Sequence, residues 1–111
     1  MPIAPSLHEH VEVRRSLIHG KGVFAKRNIR KHSLVGVFEG SATMRNGRYV
    51  LWVENDEGEL VGIRGQNELR YLNHSRRANA CFRGDKLFAL ANIRAGAEIT
   101  FDYGEDWSEF E

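Results

Sequence analysis

The sequence predicts a small, mostly β domain of short strands with one or two short helices. Three observations predict it. Short runs of β-branched, aromatic and aliphatic residues recur, as in Tyr49–Val53, Lys86–Leu90 and Ala97–Phe101. Turn chemistry separates them about every ten residues, at Asn55-Asp56-Glu57-Gly58, Gly84-Asp85 and Ala95-Gly96. Residues 23–33, where a crossover helix would have to lie, carry only a thin apolar stripe of Val23, Phe24 and Ile29.

With 111 residues, 41% of them hydrophobic and 28% charged, the chain has the make-up of one ordinary globular domain with a modest core. Residues 1–10 read as a flexible lead with two prolines, and 11–111 as a single domain. No apolar run is long enough to span a bilayer, so no membrane association is expected. The N-terminus lacks a basic head followed by an apolar stretch, so no signal peptide is expected. The lone Cys81 excludes an internal disulfide and a cysteine-built zinc site, and a reducing cytoplasm is the expected location. His8-Glu9-His10 could contribute two metal ligands but has no third nearby, so no metal is expected.

The net charge of +1 hides an asymmetry. Residues 1–55 carry nine Lys/Arg and four Asp/Glu, whereas residues 56–111 carry seven and eleven. From Glu98 onward there are six acids and no Lys or Arg, a field able to draw in a basic peptide. The basic turn Lys26–Lys31 has no interleaved aromatics for base stacking, so direct nucleic-acid binding is not expected.

In chain order, Glu12–Leu17 and Gly22–Ala25 read as strands joined by a glycine turn, and Ser33–Phe38 as a strand closed by Glu39-Gly40. Tyr49–Val53 and Glu59–Ile63 form a hairpin, and Gln66–Leu69 a single helical turn. Arg70-Tyr71-Leu72-Asn73-His74-Ser75 is a polar kink between apolar anchors, because short polar side chains compete for the backbone's hydrogen bonds. Ala80–Arg83 and Lys86–Leu90 form another hairpin, and Ala97–Gly104 the last strand.

Gly20-x-Gly22-x-x-Ala25, with Glu39 downstream, matches a dinucleotide-binding fingerprint. A parallel crossover needs a dozen or more residues, usually helical, and residues 23–33 do not supply it. The nucleotide-fold reading is therefore disfavoured.

Four pieces stand in fixed order: His19-Gly20-Lys21-Gly22-Val23-Phe24-Ala25, Val37-Phe38-Glu39-Gly40, Arg70-Tyr71-Leu72-Asn73-His74-Ser75 with Asn79, and Ala95-Gly96-Ala97-Glu98-Ile99-Thr100-Phe101-Asp102-Tyr103-Gly104. This order resembles the SET domain of protein-lysine methyltransferases over roughly residues 11–107. The resemblance implies β-clip-like small sheets with a C-terminal pseudoknot, in which the last strand packs beside the Asn-His-Ser segment. It implies S-adenosylmethionine as methyl donor, lined by the backbone of His19, Gly20, Lys21, Gly22 and Val23, held by Asn73 and His74, and covered by Trp107. It assigns Tyr103 as the catalytic residue and a lysine-containing basic protein (histone, nucleoid or ribosomal) as substrate.

Departures from the family pattern sharpen this. Proline is replaced by Ala78 in Ser75-Arg76-Arg77-Ala78-Asn79, and the cysteine-rich flanks of many members are missing, as in bacterial or viral forms. The tail then closes the site alone or with a second subunit, which makes a homodimer an option. The substrate-channel positions where the family can carry tyrosine hold Phe38, Phe82 and Phe101. Without hydroxyls to hold a water or the amine, di- or trimethylation is expected. The competing reading is a catalytically silent SET-like module that binds a basic peptide or the cofactor.

Overall fold

The computed structural model describes residues 10–47 and 49–102. Ten strands fall into two sheets. The larger contains β1 (Val11–Arg15), β2 (Lys21–Ala25), β3 (Leu34–Val37), β7 (Asn73–His74), β8 (Ala80–Arg83), β9 (Lys86–Ala89) and β10 (Glu98–Phe101). Its order is β1-β2-β10-β8-β9-β3, with β7 also on β10. The smaller has the order β4-β6-β5, from Gly40–Thr43, Leu60–Gly65 and Val50–Glu54.

Burial follows position in the sheet. β2 lies between β1 and β10, so four of its five residues are buried or partly so. At the sheet edge, β1 ends in the exposed Arg14 and Arg15. The core gathers Val23, Val35, Leu69, Leu87 and Ile99, all fully buried, each side chain worth ~1.5–3 kcal/mol. The β4-β6-β5 sheet is more open, with Trp52 and Leu60 on its surface.

Strand β10 is the hub. It runs antiparallel to β2 through Glu98↔Phe24 and Ile99↔Val23. It runs parallel to β7 through Thr100↔Asn73 and Phe101↔His74, and meets β8 at Phe101↔Ala80. The Ser75 N–H also donates to Phe101 O at 3.2 Å. The last strand therefore packs beside the Asn-His-Ser segment, as the resemblance implies.

The expected hairpins at 50–65 and 80–89 form, with the Asn55 N–H donating to Glu59 O across the first turn. Four expectations need correction. The Asn73-His74 kink is a two-residue strand, because the Asn73 amide bonds other segments instead of its own backbone. Glu39-Gly40 does not end a strand region: the chain resumes as β4 and changes sheets there. Among the described residues the helical content is a 3-10 turn at Glu68–Tyr71, two residues later than expected, and the expected longer last strand is Glu98–Phe101. No helix among the described residues is long and apolar enough to cross a membrane.

Candidate functional site

The site forms where the β1–β2 loop, β7 and β10 meet. Ser16 starts the loop and closes it on itself: its N–H donates to Gly20 O at 2.7 Å, and its Oγ accepts the Ile18 N–H at 2.9 Å. The Ser16 hydroxyl then lies 2.8 and 2.9 Å from Glu98 Oε1 and Oε2. Opposite, Asn73 Nδ2 donates to Glu98 Oε2 at 2.8 Å and reaches His19 O and Lys21 O at 3.1 Å each. One carboxylate and one amide thus tie three distant segments together. Asn73 is 8% exposed, so these bonds form largely out of water, where leaving a group unpaired is costly.

Two glycines fit this arrangement. At Gly22 a Cβ would overlap Glu98 Oε2 and come within 3.0 Å of Ser16 Cβ, so the strand can approach Glu98 only without a side chain. Gly20 has φ +44°, a left-handed conformation suited to glycine, and open space where a Cβ would stand.

On the other side of β10, the three phenylalanines form a ladder. Phe38 meets Phe82 edge-on at 6.0 Å between centroids, and Phe82 meets Phe101 edge-on at 4.9 Å. Both are preferred aromatic geometries. Phe38 is buried in the core, while Phe82 and Phe101 are partly exposed. Nearby, the Tyr71 ring packs between Lys21 Nζ at 5.3 Å and Arg70 Cζ at 4.3 Å, and Arg70 Nη2 donates to its hydroxyl at 2.7 Å. His74 Nδ1 lies 3.7 Å from Asp102 Oδ1.

Of the residues expected at a cofactor site, His19, Gly20, Lys21, Gly22 and Asn73 come together here, while His74 pairs with Phe101 and faces Asp102. The Val23 side chain is fully buried in the core, and its backbone, the part expected to line the cofactor, pairs with Val13 and Ile99. Tyr103 and Trp107 lie outside the described residues. Sequence reasoning missed Glu98 and Ser16. Glu98 was counted with the acidic tail, although a carboxylate at the start of a buried strand was the available signal. Ser16 carried no signal of its own. Asn79 also gains a role: its Nδ2 donates to Glu98 O and its Oδ1 accepts the Thr100 N–H, both at 2.9 Å, so its side chain extends the pairing of β10. Among the described residues, no three His, Cys, Asp or Glu side chains gather as a metal site.

The chain is similar to known proteins. The chain is 31% identical over 127 aligned positions to the histone-lysine N-methyltransferase MEDEA of Arabidopsis thaliana, covering 91% of this chain and 18% of that protein. It is 33% identical over 119 positions to human histone-lysine N-methyltransferase 2B, covering 86% of this chain and 4% of that one. It therefore spans less than a fifth of either relative. The methyltransferase domain of human SETMAR has the same fold, with a TM-score of 0.75 at 20% identity over 91% of this chain and 46% of that one. The SET domain model matches residues 20–104, and on that match the chain belongs to the SET domain family.

Proposed function

We propose that the chain transfers methyl groups from S-adenosylmethionine to lysine ε-amines of a basic protein. The observation that carries this reading is the convergence on Asn73, which holds the His19–Gly22 backbone, β7 and β10 in one frame. The residues present suit the cofactor. Gly20 leaves the loop backbone open to close approach, and Asn73 bonds the backbone on either side of it, at His19 O and Lys21 O. When bound, S-adenosylmethionine supplies an electrophilic methyl on a positively charged sulfur.

The protein's own work is then alignment and desolvation. The lysine nitrogen bonds to the methyl carbon as the carbon–sulfur bond breaks, and the amine's proton goes to solvent. This requires a neutral amine, although free lysine titrates near ~10.4. An apolar wall disfavours the ammonium form, and the Phe38-Phe82-Phe101 ladder is such a wall. Holding both reactants in line supplies most of the rest of the acceleration. Tyr103, next in sequence after Asp102, carries the hydroxyl that orients the amine. The ladder presents no hydroxyl of its own, which favours di- or trimethyl product. The substrate is a basic protein, in keeping with the acidic C-terminal composition and with relatives named for histone lysines.

Thermal denaturation with S-adenosylmethionine or its demethylated product tests the cofactor site. At a hundredfold excess over Kd, binding adds ~2.7 kcal/mol. No shift with either, alongside a shift with NAD, sinks the proposal. A shift without transfer of labelled methyl to mixed basic proteins leaves the silent binding module.

A further inference from the structure

Strand β2 has a second end at Ala25, away from the Lys21 carbonyl that Asn73 binds, and two turns meet there. Residues 26–31 follow β2 and residues 92–96 precede β10. Ile29 and Ile93 exchange N–H···O bonds of 2.8 Å in both directions. The Asn92 Oδ1 accepts the Lys31 N–H at 2.9 Å, and the Asn28 Oδ1 accepts the Ala95 N–H at 2.9 Å. Ile29 and Ile93 are 4% and 3% exposed, so the two turns are pinned to the core. Around these pins Arg27, Arg30, Lys31, His32 and Arg94 are all exposed. A shallow concavity runs between the turns, lined by Arg30, Lys31, Asn92 and Arg94 among others.

The charge there is of one sign. Residues 26–32 and 90–97 contain five Lys/Arg and no Asp or Glu. Arg27, Arg30, Lys31 and Arg94 form no ion pair among the described residues. The described segments that bond to these turns do so through backbone carbonyls, Lys26 N–H to His10 O and His32 N–H to Ala89 O, and β9 brings Lys86. Glu12 on β1 is held by Arg14 at 2.6 Å.

We propose that these turns form a binding site for the phosphate backbone of duplex nucleic acid. A solvated basic loop needs no fixed shape, whereas this one is cross-braced by four backbone and side-chain bonds and presents its cations from a rigid base. Sequence reasoning discounted the turn for want of aromatics. Stacking is a requirement of single strands. Duplex backbones are bound by cations and backbone groups alone, with affinity that comes from counterion release. The whole chain's charge of +1 does not forbid this, because screening over ~8 Å at physiological salt makes the local patch decisive. Along β2, Lys21, whose carbonyl Asn73 binds, and Lys26, where the platform begins, stand five residues apart, or about 16 Å. Both ends of the molecule can therefore be occupied at once. The proposal goes beyond methyl transfer and stands independently of it.

Fluorescence anisotropy of the full chain with a labelled duplex, titrated with salt from about 50 to 200 mM, tests it. With three to four phosphates neutralised, log Kd should change with log salt with a slope of magnitude about 3. The triple variant Arg30→Ala/Lys31→Ala/Arg94→Ala should lose most of that slope while keeping its melting temperature, and Arg45→Ala should leave it unchanged. No binding at the lowest salt, or an equal slope in the triple variant, overturns the proposal. So does tighter binding to a poly-dT strand than to the duplex, or binding to phosphatidylserine vesicles without binding to the duplex.

Discussion

Asn73 and Glu98 lie 25 residues apart in sequence and meet through a 2.8 Å bond from amide nitrogen to carboxylate. The same nitrogen reaches the carbonyls of His19 and Lys21. Its donor capacity is two hydrogens, so it is fully used within the protein. Under the proposed function, the part of Asn73 left for a cofactor is its carbonyl oxygen, together with the loop the amide shapes.

Asn73→Ala leaves a partly buried carboxylate without its amide and two carbonyls without their donor. The expected cost is ~1–3 kcal/mol in chemical denaturation, together with loss of affinity for S-adenosylhomocysteine by calorimetry. Asn73→Asp should be worse, because it sets a second carboxylate beside Glu98. A stable Asn73→Ala protein with unchanged affinity would show that the loop holds its shape without the amide.

Gly22→Ala should be destabilising because its new methyl overlaps Glu98 Oε2. Glu98→Asp withdraws the carboxylate by one methylene, so the double variant should recover part of the loss. A double-mutant cycle read by melting temperature should give a coupling of ~0.5–3 kcal/mol, as expected for side chains in contact. Strict additivity would mean that the overlap is relieved elsewhere.

The phenylalanine ladder separates packing from chemistry. Phe38 is buried against Phe82, so Phe38→Ala should cost ~3–5 kcal/mol of stability. Phe101 is only partly buried, so Phe101→Tyr should fold normally while its added hydroxyl holds water or amine. Mass spectrometry of a time course should then show product accumulating at monomethyl-lysine, where the unmodified chain continues to di- or trimethyl. Identical product distributions would remove the ladder from product control.

Tyr103→Phe should retain S-adenosylhomocysteine binding within a few-fold and lose methyl transfer by about 10²-fold or more, as for a group that acts in the transition state. Equal losses in affinity and turnover would instead assign Tyr103 to binding.

Much of this was legible in the sequence because strands and hairpins rest on local chemistry. Asn55–Gly58 and Gly84-Asp85 announce their turns, and β5–β6 and β8–β9 follow. The motif residues His19–Gly22 and Asn73-His74 were visible as a set. What was hidden was decided by partners distant in the chain. Asn73-His74 reads as a kink until β10 offers it a parallel neighbour. Ser16 and Glu98, 82 positions apart, carry no mutual signal in a linear text. Phe38 read only as a channel residue, and its burial emerges from the edge-on contact with Phe82. β4 was missed because a change of sheet at Glu39-Gly40 looks, locally, like an ending.

The position of β10 also has a consequence for how the molecule comes into being. The strand that supplies Glu98 and pairs with β2, β7 and β8 is the last of the described strands in chain order. During synthesis β2 and β7 wait for partners 74 to 76 and 27 residues downstream, at the pairings Glu98↔Phe24, Ile99↔Val23 and Thr100↔Asn73. Such long-range closure slows folding relative to a chain of local contacts. The Asn73–Glu98 frame therefore forms only once the sheet around β10 is complete.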